Sequence, residues 1–171
     1  MDKIAEKSKD FPTLVRKFIG HYGLFAANGV FAVLSAVSFI KKVNLSIIIS
    51  VLLGVTISAT SEIIQGFTEG RTLALTDVIL NVQGHISGIS LALLFVLLFK
   101  VKRSENIKQN ITSFITFLGL AISSILLYFI FSEKYESVEV CTTVESFVLA
   151  IWFIIEGVYI LIKYNKLKNK N

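Results

Sequence analysis

Cysteine, proline and charge are all scarce in this sequence of 171 residues. The single cysteine, Cys141, excludes an intrachain disulfide and a cysteine-based metal cluster. The single proline, Pro12, leaves the rest of the chain free of this helix breaker. Charged residues make up 17% of the chain and hydrophobic residues 54%, whereas soluble domains carry about a quarter charged residues. This balance excludes disorder and argues against a soluble enzyme, because too little charge is available to cover a water-facing surface.

The formal net charge of +5 does not indicate nucleic-acid binding. Lysine and arginine fall in short clusters between apolar runs, and no basic domain is present that could lie on phosphates. In a membrane protein such clusters set the orientation of the chain. We therefore expect the lipid bilayer as a partner and no nucleic acid, and we leave open whether the chain forms a homo-oligomer.

Five apolar stretches are long enough to cross a bilayer. A helix rises about 1.5 Å per residue, so roughly 20 residues cross a hydrocarbon core of about 30 Å. Backbone amides in lipid need internal partners, which favours helices. The stretches are 18–40, 45–66, 78–99, 111–131 and 143–162. The sequence predicts an all-α integral membrane protein, a bundle of about five transmembrane helices with short connections.

We expect a single transmembrane domain over residues 18–162, flanked by two short tails. Residues 1–17 form a polar, interfacial N-terminal tail, and residues 163–171 form a basic C-terminal tail. Outside the N-terminal tail, most lysines and arginines lie on the face that carries the C-terminus. This distribution predicts an external N-terminus, a cytoplasmic C-terminus and an external loop 67–76.

Polar residues concentrate in a helical hairpin at 58–88. Glu62 and Gln65 share a face near the end of the second stretch, and Asp77 and Asn81 share a face at the start of the third. A charged carboxylate at a helix centre in lipid costs about 2.5–3.5 kcal/mol. These groups either bond the two helices together or line a cleft near the outer interface, and we favour the cleft.

Four further residues could contribute to the cleft or to the packing around it. Arg71 lies in the connecting loop, and its fork can hold a carboxylate or a lipid phosphate. His21, near the start of the first stretch, could relay a proton or bond to a neighbouring helix. Gly84 and Gly88 are four residues apart, a spacing that permits close helix packing.

This pattern resembles the signature of the VanZ-like membrane proteins, the teicoplanin-resistance protein family. The residues that carry the resemblance are Glu62-x-x-Gln65-x-Phe67-x-x-Gly70-Arg71 and Asp77-x-x-x-Asn81-x-x-Gly84-x-x-x-Gly88. Two positions depart from the family pattern. Ala74 stands where some members have a second acid, and His85 stands where a small residue is more usual.

The resemblance implies an integral protein of the bacterial cell membrane, in a family whose namesake lowers susceptibility to the glycopeptide teicoplanin. We expect the cleft residues to be Glu62, Gln65, Arg71, Asp77, Asn81 and His21. His85 and Glu156 are secondary candidates, since Glu156 either pairs locally near Lys163 or faces the bundle. We expect no cofactor and no metal, because the spacing of these residues matches no zinc motif.

Three functions are consistent with these residues. An accessory protein of the envelope would bind a lipid-linked cell-wall precursor or a phospholipid headgroup in the cleft. An intramembrane enzyme would act on a polyprenyl-phosphate-type lipid, with Glu62 or Asp77 as the general base. A small ion-coupled transporter would use Glu62, Asp77 and Glu156, although five helices without inverted repeats are few for that task. We favour the accessory protein and leave open whether any reaction is catalysed.

Overall fold

The computed structural model describes residues 12–40, 42–70, 73–98, 107–131 and 136–169. Each of these ranges is mostly helical, and the described residues contain no β-strand. Arg71, residues 1–11 of the predicted N-terminal tail and residues 170–171 of the predicted C-terminal tail lie outside the described residues. The five helices are α1 (Pro12–Ile40), α2 (Val43–Gly66), α3 (Leu75–Leu98), α4 (Ile107–Phe131) and α5 (Glu136–Lys168).

The prediction of an all-α membrane protein with five long helices is confirmed. Within the described residues, α1, α2, α3 and α5 are long and apolar enough to cross a membrane. In the 25-residue helix α4, the described apolar segment is the shorter Phe114–Ser123. The chain is therefore a multi-pass membrane protein.

The described residues Pro12–Ile40 form helix α1 without a break. Residues Phe18–Gly23 form a π-helical segment within α1. Such segments are rare and occur frequently at functional sites. The segment follows directly after Lys17 and contains His21.

A tight turn at residues 67–70 follows α2 and leads toward α3. The amide of Phe67 donates to the Ile64 carbonyl at 3.1 Å, and the amide of Thr68 donates to the Gln65 carbonyl at 2.9 Å. Gly70 then has a φ of 78°, a left-handed conformation that glycine adopts without strain. This turn brings the end of α2 close to the start of α3.

Helix α3 occupies the centre of the bundle. It packs against α1, α2 and α5, whereas α4 packs mainly against α5. In the most apolar 18-residue segment of α3, 78% is buried inside the protein. The corresponding segments of α1, α2 and α5 are 17%, 28% and 22% buried. The residues of α3 therefore meet protein on most sides, and the outer helices present apolar side chains to lipid.

Glycines allow the backbones of α1 and α3 to approach closely. A Cβ at Gly84 would collide with the carbonyl of Tyr22, and a Cβ at Gly88 would collide with the carbonyl of Ala26. The reverse relation holds at Gly29, where a Cβ would meet the carbonyl of His85. Gly84 and Gly88 of α3 thus pack against α1, although they belong to the hairpin that α3 forms with α2.

Candidate functional site

Polar side chains from three helices meet at one end of the bundle, where α1 begins, α2 ends and α3 begins. We call this group the polar cluster. Helix α1 provides two of its members, α2 one and α3 two. Its members are Lys17, His21, Glu62, Asp77 and Asn81.

Asp77 lies close to two basic side chains of α1. The Lys17 ammonium lies 3.0 Å from Asp77 Oδ1, and His21 Nε2 lies 3.5 Å from Asp77 Oδ2. The side chains of Lys17, His21 and Asp77 are 20%, 19% and 17% exposed. Because these three side chains are partly exposed, a ligand outside the protein, such as a lipid headgroup, could contact them.

Asn81 fixes the ring of His21 from the opposite side. Its Oδ1 lies 3.0 Å from His21 Nδ1, and the Asn81 side chain is buried. An amide oxygen only accepts hydrogen bonds, so Nδ1 carries the proton in this arrangement. Nε2 then directs its lone pair, or a second proton, toward the Asp77 carboxylate.

Glu62 is the buried carboxylate of the cluster, with 1% of its surface exposed. Its Oε2 accepts a long hydrogen bond of 3.4 Å from the Ala74 amide. Its Oε1 has no hydrogen-bond partner within the described part of the chain. One turn earlier on α2, the Ser58 hydroxyl donates to the Val78 carbonyl at 3.2 Å, which holds the hairpin together.

Local sequence explains the position of Asp77. It lies in the first turn of α3, where the free amides and the helix dipole favour a negative charge. On α1, Lys17 and His21 are four residues apart and lie on one side of the helix. Both helices thus present their charged residues at the same end, with opposite signs.

Comparison with known proteins shows the family of the chain. The family model described as VanZ/LLP1 matches residues 3–99, which is more than half of the chain. The chain belongs to the VanZ/LLP1 family. No curated protein and no solved structure gives a significant match. The resemblance read from the sequence motif is confirmed, and all five members of the polar cluster lie within the matched VanZ/LLP1 region.

The structure brings together four of the predicted cleft residues of this VanZ/LLP1 protein. These are His21, Glu62, Asp77 and Asn81. Gln65, on the turn of α2 after Glu62, is half-buried. Arg71 lies outside the described residues, so its predicted part in the site stays a prediction. Lys17 is the member that the sequence did not indicate, although its spacing of four residues from His21 was a usable signal.

The secondary candidates lie elsewhere in the VanZ/LLP1 fold. His85 is buried, its Nε2 lies 2.8 Å from the Ser50 carbonyl, and its ring fills the space that Gly54 leaves open. The glycine at position 54 therefore accommodates the large residue at position 85. Glu156 is buried on α5 and so faces the bundle rather than lipid.

A second polar layer joins α3 to α1 and α5. The Tyr22 hydroxyl donates to Ser87 at 2.8 Å, and Gln83 Nε2 donates to the Thr142 hydroxyl at 2.6 Å. Glu145, one turn after Thr142, is fully buried. These groups hold helices of the VanZ/LLP1 protein together from within, in contrast to the partly exposed polar cluster.

Proposed function

We propose that this VanZ/LLP1 protein is an accessory protein of the bacterial cell envelope. The polar cluster binds the phosphate-bearing headgroup of a membrane lipid, either a lipid-linked cell-wall precursor or a phospholipid. By binding that headgroup, the protein changes how glycopeptides such as teicoplanin reach their target. The observation that carries this proposal is the partly exposed group of Lys17, His21 and Asp77 at one end of the bundle.

The chemistry of the cluster suits a phosphorylated, hydroxyl-rich headgroup. Lys17 can donate charge-assisted hydrogen bonds to phosphate oxygens. Asp77 and Asn81 can accept hydrogen bonds from sugar or glycerol hydroxyls. The end of a transmembrane bundle is also the depth at which lipid headgroups lie.

The polar cluster has hydrogen-bonding capacity that a ligand could use. Neither Glu62 Oε1 nor Asn81 Nδ2 has a hydrogen-bond partner among the described residues. Buried polar atoms without partners cost free energy, so a ligand that supplies partners is bound more tightly. A bound headgroup or its associated ions and water would provide the missing partners.

The proposed orientation places the polar cluster on the outer face of the cell membrane. Lysines near the end of α5 then lie in the cytoplasm, as positively charged loops and tails usually do. An external cluster can meet lipid-linked precursors and glycopeptides on the same side of the membrane.

The test measures lipid retained by the purified protein. We expect the wild-type chain to retain undecaprenyl-phosphate or phosphatidylglycerol from mixed vesicles above the level set by the bulk lipid. Lys17→Gln and Asp77→Asn should lower this retention about tenfold, since a hydrogen bond to a charged group contributes about 1.5–3 kcal/mol. Glu139→Gln, which alters an exposed carboxylate on α5, should retain lipid like the wild type.

The same variants, expressed in a teicoplanin-susceptible bacterium, connect binding to phenotype. Wild type and Glu139→Gln should raise the inhibitory concentration of teicoplanin, and Asp77→Asn should not. Membrane levels are measured by immunoblot so that loss of protein is not mistaken for loss of binding. Full retention of lipid and phenotype by folded Lys17→Gln and Asp77→Asn proteins would refute the proposal.

A further inference from the structure

Three metal-ligand side chains converge in the polar cluster. One ligand atom each from His21, Glu62 and Asp77 lies within 4.8 Å of the other two. A nitrogen and two carboxylate oxygens at this separation can surround one cation. The three residues come from α1, α2 and α3, so sequence spacing could not reveal the set.

Each of the three residues is held by a partner through its second polar atom. His21 Nδ1 meets Asn81 Oδ1 at 3.0 Å, and Asp77 Oδ1 meets the Lys17 ammonium at 3.0 Å. Glu62 Oε2 accepts from the Ala74 amide at 3.4 Å. Metal sites show this pattern, because outer partners orient the ligands and fix the histidine tautomer.

The remaining atoms are poorly satisfied without a cation. Glu62 is 1% exposed, and its Oε1 has no hydrogen-bond partner in the described part of the structure. With Nδ1 protonated, His21 Nε2 directs its lone pair at Asp77 Oδ2, 3.5 Å away. A lone pair facing a carboxylate is repulsive unless a proton or a metal ion lies between them.

We propose that the polar cluster binds a divalent transition-metal ion through His21 Nε2 and one oxygen each of Glu62 and Asp77. Imidazole with carboxylates suits zinc or manganese, and three protein ligands leave a position open to water or to a phosphate oxygen. This reverses the expectation from the sequence, where no zinc motif is present.

A metal ion also removes an electrostatic difficulty of headgroup binding. Among the described members of the cluster, two carboxylates face one lysine, so with a neutral histidine the cluster is negative and repels phosphate. A divalent cation makes the sum positive and gives phosphate a direct ligand position. This role rests on the proposed function, whereas metal binding itself does not.

The first measurement is metal content. The full chain is purified, stripped with a chelator and dialysed separately against micromolar Zn²⁺ and Mn²⁺. We expect about one ion per chain by mass spectrometry, as one three-ligand site requires. Glu62→Gln and His21→Gln should lower the affinity more than tenfold. Asn81→Ala, which alters an outer partner, should lower it about tenfold or more. Glu139→Gln should bind like the wild type.

Co²⁺ bound to the wild-type protein gives a readout that does not depend on the folding of variants. Visible absorption bands of low-coordinate Co²⁺, displaced by Zn²⁺, would support the site. Failure of the wild type to bind any of these ions overturns the metal proposal, as does equal binding by folded His21→Gln and Glu62→Gln proteins.

The second measurement separates the metal from the lipid function. Retention of undecaprenyl-phosphate from vesicles is compared with and without chelator, with inorganic phosphate as a competitor. Loss of retention on chelation, restored by Zn²⁺ or Mn²⁺, supports a headgroup held by the metal. If inorganic phosphate competes as well as the lipid itself does, free phosphate is the ligand. Lipid retention by metal-free protein overturns the role of the metal in headgroup binding, and the metal site itself is then decided by the first measurement. Metal binding without lipid retention overturns the proposed function alone.

Discussion

Single glycines decide how closely α1 can approach α3, and hence whether the polar cluster forms. Gly84 and Gly88 meet the carbonyls of Tyr22 and Ala26, which repeat at the same spacing on α1. On the same helix, His21 lies directly before Tyr22, and Lys17 lies about one turn before it. A shift of α1 away from α3 would therefore separate Lys17 from Asp77.

We expect Gly88→Ala to destabilise the protein by about 1–3 kcal/mol, the usual effect of overpacking. The added methyl group would meet the backbone of Ala26, which cannot rotate aside like a side chain. The midpoint of thermal unfolding in detergent checks this expectation. Gly157→Ala is the matched control, because nothing lies within 4 Å of its Cβ position. Equal midpoints for Gly88→Ala and the wild type would contradict the close packing of α1 on α3.

The π-helical segment of α1 is the element that aligns the cluster. A π-helix closes its hydrogen bonds over i→i+5, so a turn holds one residue more than an α-helical turn. Residues Phe18–Gly23 therefore set the rotation of Lys17 relative to the rest of α1. The segment connects Lys17, which pairs with Asp77, to the part of α1 that packs on α3.

We expect insertion of one alanine after Gly20 to rotate Lys17 by about 100° about the helix axis, because the π-helical turn already holds one residue more than an α-helical turn. The ion pair with Asp77 would be lost, and lipid retention should fall as in Lys17→Gln. Circular dichroism should show unchanged helix content. Gly20→Ala is the control, since its Cβ position has no neighbour within 4 Å. Wild-type retention by the insertion variant would show that the register of the π-helical segment does not position Lys17.

Helical spacing explains which parts of the site could be predicted from sequence. The polar faces of α2 and α3 follow from residues three or four apart, and Glu62, Asp77 and Asn81 do meet. The contribution of α1 involves contacts across 60 residues, as between His21 and Asn81, and no local pattern encodes them. In the sequence, Arg71 was the candidate cation for a carboxylate or a lipid phosphate, and the tertiary fold adds Lys17 from α1 beside Asp77.

At the scale of the whole molecule, α1, α2 and α3 form the unit to which we assign the proposed function. The VanZ/LLP1 match ends at residue 99, just after α3, and the polar cluster lies entirely within these three helices. Helix α5 covers one side of α3, and α4 packs on α5, in a core that includes Trp152 and Phe117. The central position of α3 was not evident from its hydropathy, which is lower than that of its neighbours.

Orientation in the membrane decides whether the polar cluster can meet external ligands. With the five spans that the sequence predicts, the two ends of the bundle face opposite compartments. The turn 67–70 lies at the end with the polar cluster, and the last turns of α5, with Lys163 and Lys166, lie at the other. From the positive-inside rule we predict that the polar cluster lies outside and the end of α5 in the cytoplasm.

Single cysteines test this orientation in intact cells. The native Cys141 is fully buried, so it should give little background with a membrane-impermeant thiol reagent. Glu69→Cys, in the exposed turn beside the polar cluster, should react before lysis. Lys166→Cys, exposed near the end of α5, should react only after lysis. The reverse result would put the polar cluster in the cytoplasm, where it could still bind phospholipid headgroups but could not meet external teicoplanin or precursors displayed on the outer face.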